Sequence, residues 1–423
     1  MNSFYDPWFI IGILLIGASV PTFFRHKSYG IMFLLVGSLA LRFWSANLDP
    51  FLNLWDEQYH ALVAKNLSNN LLLPTLLPDI SPYSDQNVWT YGHIWLHKQP
   101  FFLWLMAISI KCFGATEFAI RLPSILFGTL SIFALYRFGK NCINDKVGFI
   151  AAFLLSLSYV HLKLISGQET TDHNDLIFAS FILISFWLLS EYILHPSLKI
   201  AIWIGAIVGC AVLTKWLTGI LVFGPWFLYL IFKLKSWNYW KHFILGAVTV
   251  LLLVIPWQVY TYMNFAVEYT HEMEFNKRHV YEVIEGHGGN SLFHFEKLSY
   301  LYFSINHWIL LSLLVISSIL LWRKQTSKIS IYLIVLPSII IYLFFTLVAT
   351  KMPLFTYMIN GLILTLLAYI IFEILNKILK YIPVHPALFF PIPLFILGFS
   401  LFRYSEVQLN HDIDMEPGWT YHF

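Results

Sequence analysis

Residues 147–166 read VGFIAAFLLSLSYVHLKLIS, residues 167–175 read GQETTDHND, and residues 176–194 read LIFASFILISFWLLSEYIL. Two apolar runs, each near the roughly 20 residues that a bilayer-crossing helix needs, flank nine residues holding Glu169, Asp172, Asp175, His173 and Asn174. Acids are crowded into a connecting loop, not scattered through the apolar runs. The pattern is that of a membrane bundle with its chemistry at one surface. A transporter more often places its charges within the spans.

The alternation recurs along the chain. Apolar runs cover residues 8–24, 29–46, 121–138, 147–165, 176–194, 200–213, 217–232, 243–260, 301–322, 329–348, 357–375 and 386–402. The sequence therefore predicts an all-α polytopic membrane protein of about twelve transmembrane helices. Residues are 58% hydrophobic and 12% charged, against roughly 25% charged in soluble domains. The first run ends in Arg25-His26-Lys27, so it reads as a retained span and not as a cleaved signal. Residues 99–113 are apolar but short, and with 65–73 they read as helices lying in the interface. Cys112, Cys142 and Cys210 form no metal or redox spacing. A net charge of +3 is too small to argue for nucleic acid.

Orientation follows from the basic loops. Arg25, Lys27, Arg137, Lys140, Lys146, Lys199, Lys233, Lys235, Lys241, Arg323, Lys324, Lys328, Lys377 and Lys380 fall in one set of alternate loops, which marks that set as cytoplasmic. Residues 47–120, 166–175, 261–300, the Lys351 turn and the tail 403–423 then face outward. The whole of 1–423 reads as one membrane domain. Its first outer loop, 47–120, carries the interfacial helices, and 261–300 forms the second.

Three acidic or mixed stretches lie on that outer face. Asp56-Glu57 precedes a helical-looking segment, where an Asp can cap free backbone N–H groups or serve as a general base or metal ligand. Residues 167–175 suit an Asx turn and cap, or a site for a metal or sugar hydroxyls. The spacing matches no EF-hand. His271 to His279, continuing to His287 and His294, mixes acids, Lys277-Arg278 and imidazoles. These cations can meet lipid head groups or grip a phosphate. No H-E-x-x-H spacing is present. Lys98 and Lys351 are lone cations, either snorkelling or functional. Lys215, deeper in the chain's apolar part, needs a partner or a role. Acids and cations from distant loops thus share one face, as a lipid-phosphate substrate demands. The aromatic residues Tyr83, Trp89, Tyr91 and Trp95 fit sugar stacking and an interface belt equally.

In order along the chain, Asp56-Glu57 with Tyr59, His97-Lys98-Gln99-Pro100, Phe113-Gly114 through Arg121-Leu122-Pro123-Ser124, Asp172 to Asp175, Leu213-Thr214-Lys215, Pro256-Trp257, Glu274 to Arg278 with His287, and Lys351-Met352-Pro353 with Tyr357 resemble the motifs of GT-C polytopic glycosyltransferases. The branch is that of protein O-mannosyltransferases and the 4-amino-4-deoxy-L-arabinose lipid A transferase. The resemblance implies a GT-C bundle in a bacterial inner membrane with its active site facing the periplasm. It implies a polyprenyl-phosphate sugar donor and a lipid, glycan or protein acceptor. Asp56 becomes the central catalytic carboxylate, with Glu57 beside it and Asp172 or Asp175 as the second acid. Lys98, Arg278 and Lys351 would hold the donor phosphate. Tyr59, His97, Glu274, Asn276, His287 and Tyr357 would bind substrate. Gln99 replaces a proline of the family pattern. Phe275 stands where a His is common, which leaves a possible divalent metal unassigned.

Overall fold

The computed structural model describes residues 6–54, 56–78, 89–90, 92–169, 171–231, 236–324 and 328–403. Tyr83, Tyr91 and residues 404–423 of the expected tail lie outside them. Every extended element among the described residues is a helix, with one isolated antiparallel bridge between Thr75 and Ile94.

Local chemistry sets the helix starts. Helix α1 (Pro7–Arg25) begins with Asp6 accepting from the Trp8 N–H and with proline at its first position, where the missing N–H costs nothing. It pairs with α2 (Lys27–Ala46) through small residues that let backbones approach. A Cβ at Gly37 would stand 2.8 Å from the Ile16 nitrogen. Next come α3 (Asp56–Asn69), α4 (Phe101–Phe113) and α5 (Glu117–Cys142). Thr116 caps α5 by accepting from the Ala119 N–H. Then follow α6 (Asp145–Ser156), α7 (Tyr159–Ile165), α8 (Asp172–Leu194) and α9 (Leu198–Lys215). A 3₁₀ segment, Trp216–Val222, leads into α10 (Phe223–Ile231). Helices α11 (Trp237–Asn264) and α12 (Ala266–Tyr281) precede two single turns, α13 (Phe293–Glu296) and α14 (Leu298–Leu301). The remainder is α15 (His307–Lys324), α16 (Lys328–Ser330) running through a π segment into α17 (Leu336–Leu347), a 3₁₀ turn Pro353–Ile359 into α18 (Asn360–Leu379), and α19 (Pro386–Phe389) with α20 (Pro391–Phe402).

Among the described residues, eight helical stretches are long and apolar enough to cross a membrane, or nine if the bent pair α6–α7 counts as one span. This is fewer than the twelve expected, for three reasons. The runs 200–213 and 217–232 have no unhelical residue between them and count as one candidate span, Leu198–Ile231. The run 147–165 bends by 52° between α6 and α7. The runs 329–348 and 386–402 fold as shorter apolar helices, Ile331–Leu347 and Pro386–Phe402. The stretch from Leu198 is not straight. Trp216 takes φ 59°, a Cβ at Gly219 would meet the Val212 nitrogen, and Trp226 reaches the rings of Tyr192 and Phe243. The chain turns back at Trp216, so α9 and α10 form a hairpin with Lys215 at its tip. The expected in-plane helix 99–113 is α4, and 65–69 of the second in-plane piece continues α3.

Helix α8 is the most enclosed part of the bundle together with the stretch Pro353–Leu379, each 78% buried over its apolar window. The acids of 167–175 therefore open an interior helix. A carboxylate at a helix N-terminus is favoured by the backbone dipoles there.

Candidate active site

Asp56 and Glu57 are adjacent and have opposite surroundings. Glu57 is 1% exposed. Its carboxylate accepts from Arg121 Nε (2.7 Å) and Nη2 (3.0 Å), from the Asn53 N–H (2.6 Å), and lies 3.2 Å from His173 Nε2. Arg121 spends its remaining donors on the carbonyls of Ala46, Asp49 and Phe51. One bidentate pair thus fastens the loop after α2, the start of α3 and the start of α5. Gly167 (φ 74°) presses on the same carboxylate, and a Cβ there would sit 2.2 Å from Glu57 Cδ. Burial raises the Glu57 carboxyl, but Arg121 and His173 outweigh it and hold it at about 2.

Asp56 is half-buried. Its Oδ2 accepts from the Thr171 N–H at 2.8 Å. Burial pushes its carboxyl up, and Lys98, His60, His97 and the Thr171 N–H more than reverse this, so it ends below the usual range. Burial, with Lys98 beside it, keeps the His97 imidazole well below its ordinary value. His97 is therefore neutral near pH 7, and Lys98 is the lasting cation next to Asp56.

The start of α8 holds the other acids. Asp172 is fully buried, with Oδ1 3.0 Å from His60 Nδ1. Its Oδ2 and His60 Nε2 find no partner among the described residues. Asp175 accepts from Lys215 and from the Thr171 hydroxyl, so the cation at the hairpin tip has its partner. His173 Nδ1 meets Ser124 Oγ at 2.8 Å. Tyr357 is buried beneath, its hydroxyl 2.8 Å from His161 Nδ1.

Lys98 lines a narrow, partly open cleft, with Gln99, Gln258, Trp216, Trp257 and Glu272 among its walls. Gln258 donates to Gln99 Oε1 at 2.9 Å. His97 stacks on Trp89 (centroids 4.5 Å apart, planes at 8°) and stands 3.4 Å from Glu272 Oε2. Tyr59 meets Trp89 edge to face at 5.0 Å. Burial carries the Glu272 carboxyl up to about 7. Aromatic faces, amides and a cation within one cleft suit a sugar phosphate.

The remaining predicted residues are less engaged. On α12, Arg278 is exposed and donates to Glu282 (2.8 Å). Glu274 is exposed and accepts from the Tyr281 hydroxyl. Asn276 donates to the Glu272 carbonyl. The His287 carbonyl accepts from the Lys351 N–H. Lys351 is 5% exposed, and its ammonium donates to the carbonyls of Phe345, Thr346 and Val348 at 2.8–3.0 Å. It caps the C-terminus of α17 with all three donors, where cations belong. No group of three His, Cys, Asp or Glu that could hold a metal occurs among the described residues.

Sequence reasoning passed over Arg121, Glu272 and Thr171 as site residues. A cation opening an apolar run, as Arg121 does, is the signal that could have found the first. Glu272 and Thr171 carry no such mark, because their roles depend on which loops meet.

Residues 97–260 match the family described as dolichyl-phosphate-mannose-protein mannosyltransferase. The fold agrees. The crystal structure of ArnT from Cupriavidus metallidurans bound to undecaprenyl phosphate superposes with a TM-score of 0.66 at 14% identity, covering 90% of this chain and 77% of that one. The archaeal oligosaccharyltransferase AglB from Archaeoglobus fulgidus, in complex with an inhibitory peptide and a dolichol-phosphate, gives 0.57 at 12% identity, covering 90% and 56%. In sequence, the undecaprenyl phosphate-alpha-4-amino-4-deoxy-L-arabinose arabinosyl transferase of Wigglesworthia glossinidia brevipalpis is 26% identical over 175 residues, 40% of this chain and 29% of that protein. The chain matches less than half the length of its curated relatives.

Proposed function

We propose that this protein is a membrane glycosyltransferase that moves a sugar from a polyprenyl-phosphate donor to an acceptor, by single displacement with inversion. A prenyl-phosphate leaving group departs as an anion and needs no general acid. Catalysis then consists of stabilising that phosphate, orienting the acceptor and accepting its proton. The sugar carbon passes through an oxocarbenium-like state. Asp56 orients the acceptor and takes its proton, and Lys98 meets the phosphate. The observation that carries this reading is that Lys98, which lines the cleft, is the foremost charge holding the Asp56 carboxyl below its usual range. No hydrogen bond to Asp56 Oδ1 occurs among the described residues, which leaves that oxygen for the acceptor.

The other roles follow from their surroundings. Glu57 supports Asp56 through the Arg121 lock and does not touch substrate. Asp175 is spent on Lys215 and Thr171, which leaves Asp172, beside His60 and with Oδ2 unpaired among the described residues, as the second acid. Tyr59 and His97 form the aromatic wall. Lys351, Arg278, Glu274, Asn276, His287 and Tyr357 reach substrate only if the α12 segment and the Lys351 turn rearrange on donor binding. The α9–α10 hairpin, the bent α6–α7 pair and the two shorter apolar helices complete twelve crossings. The site faces the periplasm of a bacterial inner membrane, because the basic loops lie opposite.

Purified protein incubated in vesicles with radiolabelled undecaprenyl-phosphate mannose or aminoarabinose and cell-envelope acceptors tests this. Label attached to an acceptor is expected. Label that only crosses the membrane points to a transporter and rejects the reading.

A further inference from the structure

The short segment joining α7 to α8 is the most contorted part of the described chain. Gly167, Thr171 and Asp172 take φ values of 74°, 67° and 27°. Thr171 is the anomaly, because a β-branched residue pays a steric penalty in the left-handed region. It is also the N-cap of α8. A threonine there normally adopts an extended backbone and turns its hydroxyl onto the first free N–H groups of the helix. Thr171 does neither and makes no side-chain cap bond.

Both departures have the same consequence. The left-handed backbone aims the Thr171 N–H at Asp56 Oδ2. The hydroxyl, freed from capping, meets Asp175 Oδ2. Asp175 is held on its other oxygen by Lys215. One residue therefore ties the carboxylate that opens α3 to the carboxylate–ammonium pair between α8 and the α9–α10 hairpin. The segment is anchored on its other side as well. Glu169 pairs with Lys163 at 2.7 Å and accepts from the Tyr300 hydroxyl. Strain held in place by its surroundings is typical of functional positions.

We propose that Thr171 is a positioning residue for the transfer reaction: its strained backbone and its hydroxyl together fix Asp56 relative to the Asp175–Lys215 pair, and so aim Asp56 at the acceptor. This rests on the proposed role of Asp56. Thr171 itself touches no substrate.

Three variants separate positioning from mere support. Thr171→Val keeps the shape and the N–H and loses the hydroxyl. It lowers kcat by about 10- to 100-fold, the scale of a small misplacement of a reacting group, while KM for the donor changes less than about twofold. Thr171→Ser restores the hydroxyl and returns kcat to within about threefold of the parent. Thr171→Gly releases the backbone strain, because glycine accepts a positive φ without penalty. It keeps or raises Tm while lowering kcat, whereas a purely supportive residue would lower both. The inference is overturned if Thr171→Val turns over like the parent, if Ser and Val behave alike, or if Thr171→Gly loses Tm and kcat together. Asp56→Asn, run in parallel, distinguishes the failures. If Asp56→Asn is inactive and Thr171→Val is normal, this inference alone falls. If Asp56→Asn is active, the reading beneath it falls too.

Discussion

Residues 167–175 and residues 271–282 look alike in the sequence, since each mixes carboxylates with imidazole and amide side chains next to a long apolar run. The fold treats them differently. In the first, Asp172, His173, Asn174 and Asp175 are all buried, and they bond to partners on α3, α5 and the α9–α10 hairpin. In the second, Glu274, Lys277, Arg278 and Glu282 stay exposed and pair within their own helix or its end. Only Glu272, on the inner face of α12, joins the cleft. A cluster of charges in sequence marks a loop end. It becomes a site where separate elements bring counter-charges to it and water is excluded, because only there are the charge interactions unscreened.

The contrast predicts a descending series of effects. Arg121 supports the first region from within, so Arg121→Ala strands a buried carboxylate. It should cost about 3–5 kcal/mol, read as a large fall in Tm or loss of folded protein in detergent. Survival of Arg121→Ala with an unchanged Tm would mean that the Glu57 lock does not organise the loop. Lys98→Ala comes next. It removes the cation beside Asp56 and the cleft, and turnover should fall by about 10²–10³-fold with the fold intact.

Glu272 provides the third test, through pH. Its carboxyl keeps its proton to about 7 in the folded chain, against 4.5 when unfolded. Between those values the unfolded chain has released the proton and the folded one has not, so stability falls as pH rises through that window. The full span is worth about 3 kcal/mol. Glu272→Gln should flatten the dependence of Tm on pH from about 4.5 to about 7, and an unchanged slope would contradict the assignment. The smallest effect belongs to Arg278. Arg278→Ala should leave Tm where it is, because its bond to Glu282 is at the surface. If its turnover nonetheless falls as far as that of Lys98→Ala, α12 must move onto the donor during the cycle, and the contrast drawn above holds only for the unliganded protein.

Much of this was legible beforehand. Span length and apolar composition pointed to the bundle, and the Asp56 and 167–175 acids stood out because carboxylates are rare in this chain. The lone Lys215 in apolar sequence called for a partner or a role, and Asp175 is its partner. What was not legible depended on contacts between remote segments. Nothing near Glu57 in sequence says that Arg121 will enclose it while its neighbour Asp56 stays accessible. Lys351 looks like a phosphate ligand in Ala349-Thr350-Lys351-Met352-Pro353, and only the end of α17 reveals three carbonyls waiting for it. Eight or nine of the twelve expected spans stand as long apolar helices among the described residues, because hydropathy cannot distinguish a break, a bend and a reversal. The turn at Trp216 and the α6–α7 bend are backbone events within apolar sequence.

The central claim is that Asp56, and not its neighbour Glu57, performs the chemistry. Asp56→Asn, purified and assayed for both Tm and label transfer from an undecaprenyl-phosphate sugar, tests it most directly. The expected result is an unchanged Tm with transfer abolished. Transfer close to that of the parent protein would contradict the account.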